Sequence, residues 1–488
     1  MKRLFTLFCA LLLCGTMYAQ NRTSTQASET VKVPAGQLMG PDPVQPKSQL
    51  VPKKAVFEGV ERTWEEYVPA SYKGQKAVPL VVAVHGGSAD AQWMFGATSW
   101  AQIADQVGFI VIYPNGSIPS GKGLRWNAYM ELNNNPDMAI SADNGVDEAK
   151  FIKELIEKVE GEYKIDATRI YMHGQSNGGV MASYFGLRYP EMLAAMAPNS
   201  APPSIEVMSK YAVKARVPVY FWGGETDTVA GQYNPLNKSR AAICKEFAEF
   251  WAGIDKSDPE PKLRLDGPYN TKIHSGEFEV RNTEFRNGIH TLPFSAAYLI
   301  WNDFFSRFAR GKNGEIVRLV PEAEQASPAD EGAVAIRLGT PFALVGNKVV
   351  RIGNTPNQEP AMVAGAPSSG VVVPASFAQA AFGAKVEYLS DSEVKITTSA
   401  HIAVFTAGSA GVLLDGRPSP MADVPTSKSD GDIMISLRVL AERLLGKKVS
   451  NRRDVYKNDI YYVSDRSADL SAQTITYMEQ KLAGKSEQ

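Results

Sequence analysis

Four runs of consecutive apolar residues stand out between residues 53 and 310. They cover residues 79–84, 109–113, 170–172 and 217–222. Runs that are apolar at every position are typical of parallel strands buried on both faces. Segments with helical spacing of apolar residues alternate with these runs, over 93–107, 146–163, 180–188 and 239–252. The pattern predicts an α/β fold with a mostly parallel sheet and helical crossovers.

Two weaker elements complete this α/β region. Residues 64–69 predict an antiparallel edge strand ahead of the parallel strands, and residues 293–308 predict a closing helix. We therefore expect one α/β domain over residues 53–312. A stretch rich in Glu, Pro and Ala follows it and predicts a linker over residues 313–330.

The first 52 residues follow a different pattern. A basic start precedes an apolar run over residues 4–14 and small residues up to Ala19. This order predicts a signal peptide over residues 1–19, cleaved after Ala19, and hence a secreted or periplasmic protein. Residues 20–52 are polar and rich in Pro, Gln and Ser, which predicts a flexible leader. The apolar run is too short to cross a bilayer and no other stretch is long enough, so no membrane span is expected.

The C-terminal part of the chain contains an internal repeat. Residues 372–386 match residues 435–449, with Gly446 lying 63 positions after Gly383. An earlier match places Gly408 at 69 positions after Gly339, so the first copy carries a six-residue insertion. Each copy reads as a short amphipathic helix, a glycine cap and a strand. We predict a smaller two-copy α+β domain over residues 331–466 and a C-terminal helix in residues 467–488.

Charge and cysteine content narrow the range of functions. The 488 residues include 51 basic and 52 acidic side chains, a formal net charge of −1, which does not favour nucleic acid as a partner. Two of the three cysteines, Cys9 and Cys14, lie in the predicted signal peptide. Cys244 is then left alone, so no internal disulfide is expected.

The strongest chemical motif is Gly-Gln-Ser-Asn-Gly at residues 174–178, between an apolar run and a helical segment. This is the G-x-S-x-G pattern of a nucleophile elbow. A serine on such a sharp strand-to-helix turn is exposed in a fixed rotamer, and the helix N-terminus supplies N–H groups for a developing oxyanion. Ser176 is therefore the candidate nucleophile.

A serine nucleophile needs a general base, and the chain has five histidines. His173 lies in the strand before the elbow, His85 opens a glycine turn, and His401 belongs to the repeat. His290 and His274 remain, and both follow the elbow. His290 precedes the last predicted helix, where hydrolases with this chain order place their histidine, so His290 is the predicted base and His274 the alternative.

The orienting acid is expected after the strand that follows the elbow helix. Asp227 lies five residues past the run at 217–222 and is the predicted acid, with Glu225 as the alternative. Two backbone N–H groups are expected to form the oxyanion hole. One belongs to Asn177, and the other to Gly87 or Ser88 in the turn after His85.

These segments together resemble one family. Residues 80–87, 146–152, 169–179 and 221–227, with His290 and residues 301–305, look like the polyhydroxybutyrate depolymerase and feruloyl esterase group of α/β-hydrolases, similar to carbohydrate esterase family 1. The resemblance spans about residues 60–310. It implies an α/β-hydrolase fold and a serine esterase without cofactor or metal. It further implies an ester substrate linked to plant cell-wall polysaccharide, feruloyl or acetyl, or alternatively a polyhydroxybutyrate-type polyester. The family often has a cysteine pair near the active site, which this chain lacks, so substrate preference is left open.

Two tryptophans are candidates for substrate binding. Trp126 lies in an insertion over residues 115–143, and Trp93 follows the predicted oxyanion turn. Either ring could stack on a sugar or an aromatic acyl group. The alternative for Trp126, and likewise for Trp93, is that the ring attaches its segment to the body of the protein.

The tail repeat resembles the N-terminal, stalk-like domain of copper amine oxidases over about residues 334–465. Copper is not expected there, since the region has only one histidine, His401. The resemblance leaves two interpretations of this domain. It is either an accessory module that binds wall polymer or a structural appendage. Two rival functions of the whole chain are a peptidase of the same fold and a non-catalytic wall-binding protein with a vestigial hydrolase domain.

Overall fold

A computed structural model describes residues 30–35, 39–128, 146–203, 205–229, 238–311, 313–319, 330–360, 369–452 and 459–483. The predicted signal peptide lies outside the described residues, as does most of the predicted linker. Within the described ranges, no helix combines the length and apolarity needed to cross a membrane.

A ten-stranded sheet forms the body of the protein. In sheet order its strands are β1 (Leu50–Phe57), β2 (Val60–Tyr67), β4 (Ile110–Pro114), β3 (Val78–Val84), β7 (Ile165–Gln175), β8 (Ala195–Asn199), β9 (Val219–Gly224), β12 (Val280–Phe285), β11 (Tyr269–His274) and β10 (Lys262–Asp266). The six strands from β4 to β12 are parallel, and the two at each end are antiparallel. The predicted α/β fold with a mostly parallel sheet is confirmed.

Helices cover both faces of this sheet. They are α1 (Ala91–Ala97), α2 (Trp100–Val107), α3 (Glu148–Glu162), α4 (Asn177–Arg188), α5 (Ile205–Met208), α6 (Arg240–Asp255) and α7 (Ser295–Asp303), with 3-10 turns at Pro190–Met192 and Phe305–Arg307. Two short hairpins join β5 (Ile118–Ser120) to β6 (Gly123–Arg125) and β13 (Phe308–Arg310) to β14 (Ile316–Arg318).

The apolar runs are explained by two hydrophobic cores, one on each side of the sheet. Along β3, Val82 and Val84 belong to one core while Val81 and Ala83 belong to the other, and all four are fully buried. Alternate side chains of a strand point to opposite faces, so a strand covered on both sides must be apolar at every position.

Several elements differ from those predicted. The strand expected at the sheet edge is internal, because β1 pairs with β2 along its whole length. The helix expected over 93–107 is two helices, α1 and α2. Strands β8, β10, β11 and β12 were not predicted, because β8 reads Ala-Met-Ala-Pro-Asn and the other three mix charged and apolar residues.

The predicted flexible leader is wrong for the part of it that the structure describes. Asn302 exchanges two hydrogen bonds of 2.8 Å with the backbone of Val31, and the Tyr298 hydroxyl donates to Asp42 at 2.9 Å. Leu50 already begins β1. The segment is attached by hydrogen bonds to its backbone and to a carboxylate. Such bonds do not require a regular spacing of apolar residues, so the sequence does not indicate them.

The described residues of the C-terminal domain form three sheets. One holds β20 (Lys385–Tyr388), β21 (Glu393–Thr397), β22 (Ile402–Thr406), β23 (Val412–Leu414) and β24 (Arg417–Pro418); the second holds β27 (Lys448–Ser450), β28 (Ile460–Ser464), β15 (Val334–Arg337), β16 (Phe342–Val345) and β17 (Lys348–Arg351); the third holds β18 (Asn357–Pro360), β19 (Ser369–Pro374), β26 (Asp432–Ser436) and β25 (Ser427–Ser429). Helix α8 (Ala375–Phe382) follows β19, and a π-helix (Val439–Leu444) follows β26.

The three sheets show how the sequence repeat is built. The first two sheets have corresponding strand orders, β20-β21-β22-β23-β24 and β27-β28-β15-β16-β17. The strands of the first sheet are consecutive in the chain. The second sheet combines β15–β17 from the start of the domain with β27–β28 from its end. The copies meet in the third sheet, where Val373 of β19 pairs with Ile435 of β26. One copy therefore closes only when the two ends of the domain come together.

The last helix, α9 (Ala472–Ala483), joins the two domains. Its Met478 and Leu482 share a buried cluster with Leu265 of β10 and Leu344 of β16. The predicted linker is also partly structured, since residues 316–318 form β14. The C-terminal domain is thus packed against the end of the large sheet.

Candidate active site

Ser176 lies on the sharp turn between β7 and α4. Its backbone has φ +56° and ψ −120°, a conformation that costs a non-glycine residue about 1–3 kcal/mol. The turn persists because the strand and the helix that flank it are both buried. In this turn the Ser176 hydroxyl faces His290, whose Nε2 lies 2.6 Å from Oγ.

Three glycines allow the chain to turn so tightly. A Cβ added to Gly174 would overlap the backbone of Gly178, one added to Gly178 would overlap the carbonyls of Val84 and His85, and one added to Gly179 would overlap the carbonyl of Asn199. None of the three has a positive φ. These glycines are needed for space rather than for backbone freedom.

The structure brings Ser176, His290 and Asp227 together. His290 Nε2 lies 2.6 Å from Ser176 Oγ, and His290 Nδ1 lies 2.9 Å from Asp227 Oδ2. The Asp227 side chain is fully buried, and its other oxygen accepts the backbone N–H of Val229 at 3.0 Å. With Nδ1–H donated to the carboxylate, Nε2 is free to accept the serine proton.

The carboxyl ends of adjacent parallel strands position the acid and the base. Asp227 follows β9 and His290 follows β12, and these two strands pair side by side. Beyond the strands, Thr226 donates its N–H to the carbonyl of Gly288 at 2.8 Å. The two loops are therefore joined to each other before they reach the serine.

The predicted oxyanion turn lies against the elbow. A Cβ on Gly86 would be 3.4 Å from Ser176 Cβ, and one on Gly87 would be 3.7 Å from Asn177 Cβ. Ser88 has φ +62°, so its backbone is turned sharply. Asn177 is the first residue of α4, where the backbone N–H is not used by the helix ladder.

His85 holds this turn in place rather than taking part in proton transfer. It is buried, its Nδ1 lies 2.7 Å from the carbonyl of Gly86, and its Nε2 accepts the N–H of Gly116 at 3.0 Å. Burial lowers the pKa of His85 to about 4. The imidazole is therefore neutral at pH 7, as both of its hydrogen bonds require.

Trp126 is not available for substrate stacking, so its predicted binding role is wrong and the alternative is supported. The residue is 1% exposed, its indole N–H donates to the His85 carbonyl at 2.9 Å, and its backbone N–H donates to Asn177 Oδ1 at 2.6 Å. It attaches its loop to the elbow. Residues 129–143 of the predicted insertion lie outside the described residues. Trp93, by contrast, is 45% exposed on α1.

The alternative base lies elsewhere. His274 is on β11, with Nδ1 2.9 Å from the carbonyl of Asp258. His173 is buried within the sheet, where Nδ1 accepts from Trp100 Nε1 at 2.9 Å and burial lowers its pKa to about 3. Among the described residues, no group of three or more His, Cys, Asp or Glu side chains could hold a metal ion.

The alternative acid, Glu225, contacts residues that the sequence analysis missed. It pairs with Arg286 and with Arg452 of the C-terminal domain, each at 2.6 Å. Arg286 lies in the histidine loop, residues 286–294, which follows β12 and carries His290. Arg452 is 227 positions away from Glu225 in the chain. No local sequence motif indicates a pair between residues so far apart. The only signal in the sequence is that Glu225 lies two residues before Asp227.

Comparison with known proteins finds two segments of the chain that are similar to known families. Residues 63–230 match the family model described as esterase PHB depolymerase, and residues 333–457 match the copper amine oxidase N-terminal domain.

Individual relatives cover limited parts of the sequence. The chain is 27% identical over 173 residues to the bifunctional acetylxylan esterase/xylanase XynS20E of Neocallimastix patriciarum, covering 35% of this chain and 22% of that protein. It is 28% identical over 214 residues to feruloyl esterase B of Piromyces equi, covering 41% and 36%. A solved acetyl xylan esterase from Aspergillus awamori has 20% identity and a TM-score of 0.41, covering 52% of this chain and 99% of that one. The chain thus spans well under half the length of these two curated relatives.

Proposed function

We propose that this protein is a serine carboxylic ester hydrolase that works through an acyl-enzyme. One observation carries the proposal: the hydrogen-bonded series Ser176–His290–Asp227, with distances of 2.6 Å and 2.9 Å, on a strained elbow. A serine, a base and an orienting acid in this order are the parts that acyl transfer needs.

The chemistry follows from the geometry. His290 Nε2 takes the proton of Ser176 as Oγ attacks the ester carbonyl, and the buried carboxylate of Asp227 stabilises the imidazolium that forms. The N–H of Asn177, with that of Gly87 or Ser88, donates to the oxyanion of the tetrahedral intermediate. His290 then returns the proton to the leaving alcohol. Water attacks the acyl-enzyme by the same route, and no cofactor enters either half.

The proposed substrate is a feruloyl or acetyl ester of plant cell-wall polysaccharide. Support comes from the relatives that are named for acetylxylan and feruloyl esterase activity. The exposed ring of Trp93, five positions after Ser88, offers a surface for a sugar or an aromatic acyl group. The match to the esterase PHB depolymerase model favours an aliphatic polyester as the second candidate.

Location and attachment complete the proposal. The predicted signal peptide over residues 1–19 would place the enzyme in the periplasm or outside the cell. Binding of wall polymer by the C-terminal domain stays a prediction. A secreted enzyme held on polysaccharide requires both the signal peptide and polymer binding by the C-terminal domain.

Hydrolysis by the protein without residues 1–19 tests the proposal. The panel holds p-nitrophenyl acetate, methyl ferulate, acetylated xylan and polyhydroxybutyrate, and a fluorophosphonate probe reports the reactive serine. Ser176→Ala should lower kcat by at least about three orders of magnitude and abolish labelling. Ser183→Ala is the matched control, because Ser183 is a buried serine on α4, the helix after Ser176, and its hydroxyl donates to the Gly179 carbonyl.

The outcomes separate the rival functions. Turnover of ferulate or xylan alone supports the cell-wall substrate, and turnover of the polyester supports a depolymerase. A p-nitroanilide is added to the panel as an amide substrate, and labelling of Ser176 with turnover of this amide but of no ester would support a peptidase. Absence of labelling would leave only the non-catalytic binding function.

A further inference from the structure

The C-terminal domain touches the loop that carries the catalytic acid. Glu225 is the first residue after β9 and lies two positions before Asp227. Its Oε2 accepts Arg286 Nη1 at 2.6 Å and the N–H of Asn287 at 3.0 Å. Its Oε1 accepts Arg452 Nη1 at 2.6 Å and the N–H of Ala472 at 2.8 Å. One carboxylate oxygen serves the histidine loop and the other serves the C-terminal part of the chain.

This carboxylate is saturated and buried. Four donors match the four acceptor positions of an ionised carboxylate. The side chains of Glu225, Arg286 and Arg452 are 6%, 5% and 12% exposed. Burial by itself raises the pKa of Glu225, but the N–H groups of Ala472 and Asn287 and the Arg286 guanidinium outweigh it, and the pKa lies below its ordinary value. Glu225 is thus held as an anion with a fixed orientation.

Glu225 joins the acid loop, which follows β9 and carries Asp227, to the histidine loop. Its own N–H donates to the Phe285 carbonyl at 2.9 Å, one residue before the Thr226–Gly288 hydrogen bond. Arg286 is held from the other side, since its Nε donates to Asp469 Oδ1 at 3.2 Å. Both loops that carry catalytic residues are therefore fastened to the segment around α9.

Stability alone does not account for this cluster. Replacing a buried ion pair by apolar side chains of similar volume is often neutral or stabilising, because charges are costly to desolvate. What an apolar contact cannot supply is direction. Four directed hydrogen bonds fix the carboxylate in one place, and Asp227 is attached two residues away.

We propose that Arg452 and the N-terminal N–H of α9 are positioning groups of the active site, acting through Glu225. The C-terminal domain then contributes to catalysis by holding the Asp227 and His290 loops in register, whatever polymer it binds. This inference rests on the proposed esterase function, because it concerns the same triad.

The test uses the full chain with single substitutions. Arg452→Met removes the guanidinium and keeps the length of the side chain, and Arg452→Lys restores the charge. Arg337→Met is the matched control, because it breaks the 3.0 Å Arg337–Asp459 pair inside the C-terminal domain. For p-nitrophenyl acetate, Arg452→Met should lower kcat about ten-fold with KM nearly unchanged, as expected for a displaced catalytic group. Arg452→Lys should recover most of the loss, and Arg337→Met should match the wild type.

A second variant covers the case in which Arg452→Met does not fold. Ala472 is the first residue of α9, a position that accepts proline. Ala472→Pro removes only the N–H that donates to Glu225, so kcat should fall in the same direction by a smaller factor. In the Glu225→Gln background, both substitutions should have little further effect, because residues of one network are not additive.

A readout without substrate separates this inference from the proposed function. The low-field proton resonance of His290 Nδ1–H, hydrogen-bonded to Asp227, should shift in Arg452→Met and Ala472→Pro but not in Arg337→Met. If the wild type lacks Ser176-dependent turnover and the resonance still shifts, the esterase function fails and the positioning role stands. If turnover depends on Ser176 and neither variant changes kcat or the resonance, the positioning role is wrong.

Discussion

Glycines are required for different reasons in the α/β domain and in the C-terminal domain. At the elbow, Gly174, Gly178 and Gly179 have ordinary φ values, but an added Cβ at each would overlap backbone atoms. In the C-terminal domain, Gly339 and Gly408 have φ of +78° and +82°, and nothing lies within 4 Å of an added Cβ. The first set is required by close packing, and the second by the shape of a turn.

The difference shows where each region carries its constraint. In the body, backbone segments that are distant in the chain pack closely around the strained Ser176. The requirement for glycine there comes from tertiary packing and is confined to the elbow. In the C-terminal domain, the constraint is local and recurs with the repeat: Gly383 and Gly446 have φ of +67° and +66°. Substitution should therefore be costly at the elbow and mild in the turns.

Gly178→Ala gives the largest expected effect. The added methyl group would have to displace the strand end at Val84 and His85, and with it the oxyanion turn. We expect kcat to fall by more than about 100-fold, because displacements of about 1 Å have that consequence. Gly161→Ala on α3 is the control, since nothing lies within 4 Å and alanine favours a helix. Wild-type kcat in Gly178→Ala would contradict the close-packing argument.

Acid should weaken the body of the protein through its buried histidines. His85 and His173 have folded pKa values of about 4 and 3, below the ordinary 6.5, because both are buried. A lowered histidine pKa contributes stability that is present above about pH 6.5 and is lost as pH falls toward the folded value. Between pH 7 and pH 5, each should remove about 2 kcal/mol from the free energy of unfolding.

Urea unfolding followed by tryptophan fluorescence measures this loss in the body alone, because all seven tryptophans precede residue 302. His173→Asn should reduce the loss between pH 7 and pH 5 by about 2 kcal/mol. His401→Asn, at an exposed site in the C-terminal domain, should leave it unchanged. An equal loss in His173→Asn and the wild type would show that His173 does not stay neutral.

Asn177→Ala tests the link between the elbow and the loop of Trp126. It removes the side-chain oxygen that accepts the Trp126 N–H at 2.6 Å but keeps the backbone N–H proposed for the oxyanion hole. An unpaired buried N–H should cost about 1–3 kcal/mol of stability, and kcat should fall about ten-fold. Asn354→Ala, which removes a 2.9 Å bond to the Ser429 carbonyl in the C-terminal domain, should leave kcat unchanged. Equal kcat in both variants would rule out this link.

Gly408→Ala gives the smallest expected effect. Alanine at φ +82° should cost about 1 kcal/mol, and Gly408→Asn should cost less, because asparagine tolerates that conformation better. Thermal unfolding measures the cost, and kcat should not change. A larger loss in Gly408→Asn than in Gly408→Ala would mean that packing, not the turn, governs this site.

Much of the body could be predicted from the sequence because its signals are local. A strand covered on both faces is apolar at every position, as in β3 and β4, and the elbow is written in five consecutive residues. His290 and Asp227 could be selected by their order after Ser176 and by their place beyond core strands. Strands β10–β12 were not predicted because they mix polar and apolar residues, and β11 and β12 bury polar side chains that the apolar pattern of a strand does not include.

The sequence by itself determined the parallel sheet, the strained turn at Ser176 and the two-copy repeat, because each depends on residues close together in the chain. Only the tertiary structure decided that Trp126 is buried, that one copy closes from both ends of its domain, and that Glu225 is shared between Arg286 and Arg452. These contacts join distant parts of the chain. The spacing of apolar residues along the sequence indicates which face of a helix or strand is buried. It does not indicate which distant side chain packs against that face.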